Sequence, residues 1–339
     1  MTSEQSSTGE GRGIRRWRLL AGVGLALAAL LGASSWRHGP QQEASGASPA
    51  LIVGDQRGGV QALLKASGEL DHMPYTIEWA MFPAAAPLLE ALNSGAVDVG
   101  GLGCQPFAFA YAGGAKIKVV QAGFQHPSPT RGRSSAIIVA GTSPLRSFAD
   151  LKGKRLATIR GSAGQDLALR LLEREHLQPG DIHWVYLNNA EAKAALASGA
   201  VDAWSTWSAY VGYALLRDHE RSLADATALP PQPVFFAASD KAIAGKHTQI
   251  ADFLQRLSRA RHWLAGHKDA YAAVLARETG LPGDVARFTV EDLSSDPVQV
   301  DDRLAAEELA ILKRYKATGI IDKIPDLTGA FDGSFPIRS

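Results

Sequence analysis

The stretch from Phe148 to Arg170 reads FADLKGKRLATIRGSAGQDLALR. Its middle part, Arg155 to Ile159, is a short apolar run that predicts a buried strand. The small residues Gly161 to Gly164 follow, and the leucine spacing then predicts an amphipathic helix over 165–175. A strand, a turn of small residues and a helix can direct free backbone N–H groups at an anion. The turn lacks the G-x-G-x-x-G and G-K-[ST] patterns of nucleotide sites, so we interpret it as a cradle for a small oxyanion, with a plain strand–helix turn as the alternative.

The composition is that of an ordinary globular protein, with 46% hydrophobic and 20% charged residues and a net charge of +1. Its 339 residues suffice for about two domains. No basic field marks a nucleic-acid interface. A single cysteine, Cys104, excludes an intramolecular disulfide framework and a cysteine metal cluster. The nine histidines show no metal-binding spacing, and no acid–base pair or triad is evident, so we expect no cofactor, no metal site and no catalytic site.

The N-terminus has the features of a secretory signal. Arg15 to Arg18 is basic, and Leu19 to Leu31 is an apolar run that is short for a membrane span. We therefore predict a signal peptide and linker over residues 1–47 and a periplasmic location, with an uncleaved signal anchor as the alternative. The choice between general and twin-arginine export stays open.

Two short motifs recur at nearly the same spacing. Ser94 to Asp98 reads SGAVD and recurs as Ser198 to Asp202, 104 residues later. The pair Arg57-Gly58 recurs as Arg160-Gly161, 103 residues later. The predicted strands and helices follow the same order around both copies. We therefore predict two similar α/β lobes, each with a mainly parallel sheet flanked by helices.

Hydrophobic periodicity predicts nine strands and ten helices. The predicted strands cover 51–54, 75–82, 97–101, 116–121, 135–140, 155–159, 183–187, 201–204 and 234–238. The predicted helices cover 60–69, 87–93, 107–113, 165–175, 190–197, 210–217, 248–265, 268–279, 283–293 and 300–318. The last third of the chain is therefore expected to be mainly helical.

Four predicted turns follow strands of the two lobes, namely Asp55–Gly59, Gly103–Pro106, Arg160–Gln165 and Ser205–Ser208. Ligands of open α/β sheets bind beyond the carboxyl ends of the strands. Two facing lobes would thus close over one ligand by hinge motion.

The four turns are rich in neutral hydrogen-bond donors and also carry cations and aromatic side chains. This mixture suits a group with several acceptor oxygens and an apolar tail. The candidate ligand-binding residues are Gln56, Arg57, Gly58, Cys104, Gln105, Arg160, Gly161, Ser162, Ala163, Trp204, Trp207 and Ser208. Helix capping by the serines, core packing by Trp204 and surface roles for both arginines are the structural alternatives. Cys104 could act as a nucleophile, but no base is placed beside it, and free cysteine is commonly a buried small hydrophobe.

From about Leu51 to Phe335 the chain resembles the periplasmic substrate-binding proteins of ABC importers for aliphatic sulfonates, in the wider group of taurine- and nitrate-binding proteins. The motifs that carry the resemblance are Gly54-Asp55-Gln56-Arg57-Gly58, Glu90-Ala91-Leu92-Asn93-Ser94-Gly95 with Val97-Asp98, Asp150-Leu151-Lys152-Gly153-Lys154, Arg160-Gly161-Ser162-Ala163, and Val201-Asp202-Ala203-Trp204 with Trp207.

The resemblance implies a two-lobed periplasmic-binding-protein fold, type II-like, with lobe 1 at 48–139 plus 239–339 and lobe 2 at 140–238. It implies a small organosulfonate anion bound between the lobes and delivered to an ABC permease in the membrane, and we expect a monomer without a nucleic-acid partner. Cys104 and Ser208 depart from the family pattern where the organic tail should lie. A taurine, nitrate or other small-ligand binding protein therefore stays open, as does a desulfinase that uses Cys104.

Overall fold

The structure, a computed structural model, describes residues 49–125, 128, 130–293, 295–335 and 337. These residues belong to a compact unit that begins at Ala47. The predicted signal peptide and linker at 1–47 lie outside the described residues. None of the described helices is both long enough and apolar enough to cross a membrane.

The first part of the chain alternates strands and helices as predicted. Its elements are β1 (Leu51–Gln56), α1 (Gly59–Ala66), β2 (Ile77–Phe82), α2 (Ala85–Ser94), β3 (Val99–Gly103), α3 (Cys104–Ala112) and β4 (Ile117–Gln125). β1 lies between β2 and β3 and pairs with both in parallel. The carboxyl ends of β1 and β3 therefore meet at one edge of the sheet, where α1 and α3 begin.

The second part repeats this arrangement in a separate sheet. Its elements are β5 (Ser135–Val139), β6 (Arg155–Thr158), α4 (Ala163–Arg174), β7 (His183–Tyr186), α5 (Asn189–Ala197), β8 (Ala203–Trp207), α6 (Ala209–Leu216) and β9 (Arg221–Asp225). β6 pairs in parallel with β7 and β8, and the strand order of the sheet is β7-β6-β8-β5-β9. The predicted α/β class with two helix-flanked sheets is confirmed.

The remaining elements return to the first sheet and are mainly helical. They are β10 (Val234–Ser239), α7 (Asp240–Gly266), α8 (Lys268–Thr279), α9 (Gly283–Glu291), β11 (Ser295–Val298) and α10 (Asp302–Ala317). The order of the first sheet is β11-β4-β10-β3-β1-β2, with β10 antiparallel to β3 and β4. Helices α1, α7 and α8 pack together on one face of this sheet around a core that includes Phe253, Leu257 and Tyr271.

The chain passes from one sheet to the other one strand before each of the predicted lobe boundaries. The boundary at 139/140 assigns Ser135–Val139 to lobe 1, but this strand belongs to the second sheet. The boundary at 238/239 assigns Val234–Ala238 to lobe 2, but this segment lies in the first sheet. The sequence does not reveal which sheet these two strands join, because an apolar strand has the same pattern in either sheet. The crossovers fall between β4 and β5 and between β9 and β10.

Other predicted elements differ at their ends. β8 continues to Trp207, so the predicted turn at 205–208 is reduced to Ser208, and α3 begins at Cys104 inside the predicted turn at 103–106. Helix α7 begins before the predicted residue 248 and has non-helical backbone angles at Lys246. Strands β9 and β11 were not predicted, because their short sequences lack a clear alternation of apolar and polar residues.

The recurring SGAVD motif has the same structural role in both sheets. The Asp98 carboxylate accepts the backbone N–H of Ile52 at 2.7 Å, where β1 begins. The Asp202 carboxylate accepts the backbone N–H of Arg155 at 2.8 Å, where β6 begins. Each motif thus ties the loop before one strand to the start of the neighbouring parallel strand. The two copies of the sequence motif therefore occupy equivalent positions in the two sheets and make equivalent hydrogen bonds.

The two aspartates differ in their surroundings, and this predicts a difference in stability. Asp98 also pairs with Lys246 at 2.6 Å, and both side chains are largely buried. Asp98→Asn should lower the free energy of unfolding by about 2 kcal/mol, since it leaves the buried ammonium group of Lys246 without its carboxylate. Urea denaturation at neutral pH measures this loss.

Asp202→Asn is the matched control. Asp202 pairs with Arg155 at 2.9 Å, but both side chains are considerably more exposed, so solvent screens the pair. Asp202→Asn should therefore lower the free energy of unfolding clearly less than Asp98→Asn does. Equal losses for the two variants would contradict this account of the repeat.

Candidate ligand-binding cleft

A cavity of about 670 Å³ lies between the two sheets. Residues at the starts of α1, α3, α4 and α6 line it, and these helices follow β1, β3, β6 and β8. The four predicted strand–helix turns therefore lie around one cavity in the structure. The candidate residues that line the cavity are Gln56, Arg57, Gln105, Arg160, Gly161, Ser162, Ala163, Trp207 and Ser208.

The start of α4 is ordered by hydrogen bonds within its own turn. The Ser162 hydroxyl donates to the carbonyl oxygen of Ile159 at 2.6 Å and accepts the N–H of Gln165 at 3.3 Å. The Gln165 side-chain oxygen accepts the N–H of Gly161 at 2.7 Å. Ser162 thus caps the start of α4, which is the structural role that the sequence allowed beside ligand binding. The N–H of Ala163, at the first helical position, has no acceptor among the described residues.

The start of α6 provides a second set of donors from the other strand–helix turn. Ser208 has a positive φ of 58° and donates its N–H to the carbonyl oxygen of Ser134 at 2.6 Å. This unusual conformation lets a single residue connect β8 to α6. In the described part of the chain, no acceptor receives the N–H of Ala209 or of Tyr210. Both residues line the cavity, so two helix starts present free donors to it.

An arginine and a tyrosine meet across the cleft. The Arg57 guanidinium carbon lies 4.6 Å from the ring centroid of Tyr210, which is a cation–π distance. Arg57 follows β1 of the first sheet, whereas Tyr210 belongs to α6 beside the second. Trp204 packs edge-on against Tyr210 with ring centroids 6.0 Å apart. Tyr210 therefore links the buried Trp204 of the second lobe to the Arg57 guanidinium of the first lobe.

A glycine makes a second contact across the cleft. Gly161 has a φ of 69°, and a Cβ atom built on it would lie 2.4 Å from Cγ of Phe109. Phe109 belongs to α3 of the first lobe. The missing side chain at Gly161 therefore lets the two lobes approach closely.

Side chains on the first-lobe side are held by internal partners. Gln56 donates to the carbonyl oxygen of Gly101 at 2.7 Å, and Gln105 donates to the side-chain oxygen of Gln232 at 2.7 Å. Arg160 donates to the carbonyl oxygen of Ile320 at 3.3 Å and remains exposed. Arg57 is also exposed, and neither arginine has an ion-pair partner in the described ranges, but Arg57 donates no hydrogen bond there whereas Arg160 donates one.

Three candidate residues do not line the cavity. Cys104 and Trp204 are fully buried in the core, and Gly58 forms the turn before α1 with a φ of 78°. The Trp204 side chain points into the core because its strand alternates faces, and its indole N–H donates to Asn189 at 3.3 Å. These three residues therefore lie outside the cavity lining, and their contact with a ligand stays a prediction.

Several cavity residues were not identified from the sequence. Phe109, Gln232 and Arg261 all line the cavity. Phe109 lies inside the predicted helix at 107–113, and Gln232 lies in a proline-rich connection. Arg261 shares a helical face with Leu257 and Leu264, and this placement of a cation on an apolar stripe was the available signal.

Comparison with known proteins identifies the family. A model of the family described as NMT1/THI5 like matches residues 82–270, which is more than half of the chain. The chain belongs to the NMT1/THI5-like family. Within this family, the chain is 36% identical over 267 residues to an aliphatic sulfonates-binding protein of Escherichia coli K12, with 78% of this chain and 81% of that protein covered.

Solved structures of two sulfonate-binding proteins have the same fold. The periplasmic aliphatic sulphonate binding protein SsuA of Escherichia coli matches with a TM-score of 0.72 and 32% identity, covering 84% of this chain and 92% of that one. The alkanesulfonate-binding protein SsuA of Xanthomonas axonopodis pv. citri, bound to MOPS, matches with a TM-score of 0.75 and 30% identity, covering 84% and 99%. The predicted resemblance is confirmed.

The contact between Gly161 and Phe109 predicts an effect on the closure of the lobes. Gly161→Ala places a methyl group where the Phe109 ring lies, so the lobes should separate. Small-angle X-ray scattering should show a larger radius of gyration than in the unsubstituted protein. Gly199→Ala is the matched control, because Gly199 has a similar φ of 72° but nothing within 4 Å of an added Cβ. An unchanged radius in Gly161→Ala would refute the closing role.

The burial of Cys104 predicts an unreactive thiol. Burial raises the pKa of this thiol well above its usual range, and the nearby carboxylate of Asp166 raises it further. Little thiolate should therefore form in the native protein. A thiol reagent such as Ellman's reagent should label Cys104 in denaturant but not in native buffer. Rapid native labelling would revive the desulfinase hypothesis.

Proposed function

We propose that this protein is the extracytoplasmic binding component of an ABC importer, which takes an aliphatic sulfonate into the cleft and delivers it to the membrane permease for sulfur acquisition. The sequence similarity to sulfonate-binding proteins supports this role. These relatives are binding proteins and not enzymes, and the unreactive setting of Cys104 agrees with a non-catalytic role. The proposal places the protein in the periplasm after export by the N-terminal signal.

The observation that carries the proposal is the pair of helix starts at one cavity. Free N–H groups at Ala163 and Ala209 provide hydrogen-bond donors at the positive ends of α4 and α6. A sulfonate has three acceptor oxygens and a single delocalised charge, so it suits several such donors. Arg57 adds a full positive charge at the rim, where it can attract the anion without burying its own charge.

The shape of the cavity favours a ligand with an organic tail. A volume of about 670 Å³ is in the range of sites for drug-sized molecules. Nitrate would leave most of this space empty. Taurine would bring an ammonium group into the cavity, and the neutral side chain of Ser208 cannot balance its positive charge. We therefore prefer an alkanesulfonate over both alternatives and over other small ligands.

The sheet assignments suggest the extent of the two lobes. We propose that one lobe comprises 49–125, 234–293 and 295–335 and that the other comprises 135–225. The segments 130–134 and 226–233 then belong to a two-segment hinge. Gly132 lies close to Ala226, whose N–H donates to the Gly132 carbonyl oxygen at 3.3 Å. The two hinge segments therefore touch, and closure would bend them together.

Calorimetry with a series of linear alkanesulfonates tests the proposed function. Binding should be detected, and affinity should rise with chain length as the tail covers more of the apolar wall, by up to about 0.8 kcal/mol for each methylene group that is fully buried. Taurine and nitrate should bind more weakly. Absence of binding heat and of any melting shift with all these anions would refute the proposed ligand class.

A substitution of Arg57 tests its proposed role. Arg57→Gln should weaken the binding of an alkanesulfonate by about fivefold, or about 1 kcal/mol, because it removes a charged donor at the rim. Arg155→Gln is the control, since Arg155 is an exposed arginine paired with Asp202 and does not line the cavity. Equal dissociation constants for Arg57→Gln and the unsubstituted protein would remove Arg57 from the site.

A further inference from the structure

The cavity extends from the cleft to a second end beneath the first sheet. This end is lined mainly by apolar side chains of the helices that follow β10. They include Leu257 and Leu264 of α7, Leu275 of α8, Leu281 before α9, and Phe236 of β10. Two charged side chains line the cavity with them, namely Arg261 of α7 and Asp292 after α9, whose carboxylate accepts the N–H of Ser134 at 2.8 Å.

The position of Arg261 is fixed by a glutamine. A guanidinium N–H of Arg261 donates to the side-chain oxygen of Gln121 at 3.3 Å. The side-chain nitrogen of Gln121 donates to the Leu254 carbonyl oxygen at 3.1 Å and to the Ser258 hydroxyl at 3.0 Å. These two bonds set the orientation of the Gln121 amide, so its oxygen is available to Arg261. The arginine is therefore held by a neutral acceptor.

The Arg261 guanidinium forms no ion pair with the described residues. No carboxylate oxygen of the described ranges lies within 4.0 Å of it. Its carbon lies 5.2 Å from the ring centroid of Phe236, a cation–π contact. Burial lowers the pKa of Arg261 to about 10, so the side chain is still protonated at neutral pH. The remaining guanidinium N–H groups have no hydrogen-bond acceptor in the described structure.

Neighbouring arginines of the same helix show that this arrangement is particular to Arg261. Arg256 pairs with Asp252 at 2.8 Å, and Arg259 pairs with Glu69 at 2.6 Å. Each of these two arginines therefore has a carboxylate partner, Asp252 from α7 itself and Glu69 from the segment after α1. A cation that is held in place but left unpaired inside an apolar cavity costs free energy unless an anion binds to it.

We propose that Arg261 binds a second anionic group, such as a carboxylate, at the end of the ligand remote from its sulfonate. This inference rests on the proposed function and narrows its ligand class to sulfonates that carry a second negative charge on their tail. Free donors at the helix starts hold one end of such a ligand, Arg261 holds the other, and the apolar wall covers the chain between them. An ammonium group at the same position would be repelled by Arg261.

Paired ligands of matched length test this inference by calorimetry. Each linear alkanesulfonate is compared with the ω-carboxyalkanesulfonate and the ω-aminoalkanesulfonate of the same chain length. At the length that spans the cavity, the carboxylate compound should bind about tenfold more tightly than the alkanesulfonate, and the amine should bind more weakly. Arg261→Gln should abolish the preference for the carboxylate compound over the alkanesulfonate of the same length.

Two further variants separate binding from structural effects. Arg259→Gln alters an exposed arginine of the same helix and should leave the carboxylate preference unchanged. Arg261→Lys keeps the charge and should retain part of the preference, and it replaces Arg261→Gln if that variant does not fold. A parallel loss of affinity for all three ligands in Arg261→Gln would assign the residue a structural role and overturn the inference.

The outcomes also distinguish this inference from the proposed function. Binding of alkanesulfonates without any preference for the carboxylate at any length would overturn the role of Arg261 and leave the proposed function in place. Absence of binding by every sulfonate in the series would overturn both.

Discussion

The geometry of the cleft depends on the buried carboxylate of Asp166, in the first turn of α4. Its two oxygens accept hydrogen bonds from Arg314 of α10 at 2.9 Å and from Gln232 of the return crossover at 3.0 Å. Gln232 in turn accepts from Gln105 of α3 at 2.7 Å and from Arg170 of α4 at 2.6 Å. One carboxylate thus joins the second lobe, the crossover and the C-terminal helix. Because Asp166 lies next to the helix start that faces the cavity, this network sets where the free donors point.

The ionisable groups buried near this network have structural roles and not chemical ones. Glu308 of α10 is fully buried and has no hydrogen-bond partner for either oxygen among the described residues. Burial, together with the charge of Asp166, raises the pKa of Glu308 well above its usual range, which favours the neutral acid. Tyr315 and Cys104 are buried in the same region and also have raised pKa values. The charge in this region is therefore concentrated in the paired groups Asp166 and Arg314, and the thiol remains inert.

Local sequence pattern predicted the features that depend on single segments. The strand–turn–helix units and the SGAVD repeat were recognisable because periodicity and small residues act within a few positions. The sheet that receives β5 and β10 was not predictable in this way, since an apolar strand fits either sheet. Trp204 and Cys104 were proposed for the site because they adjoin it in sequence, yet packing turns both into the core. Arg261 was missed because its role depends on three helices and a strand that meet only in the folded chain.

The central claim is that free N–H groups at the starts of α4 and α6 hold the anionic head of the ligand between the lobes. The most direct test is a crystal structure of the protein with a bound alkanesulfonate. The account predicts sulfonate oxygens about 3 Å from the backbone nitrogens of Ala163 and Ala209, with the tail directed along the apolar wall. A sulfonate seated against Arg261, with its tail toward the helix starts, would contradict the claim.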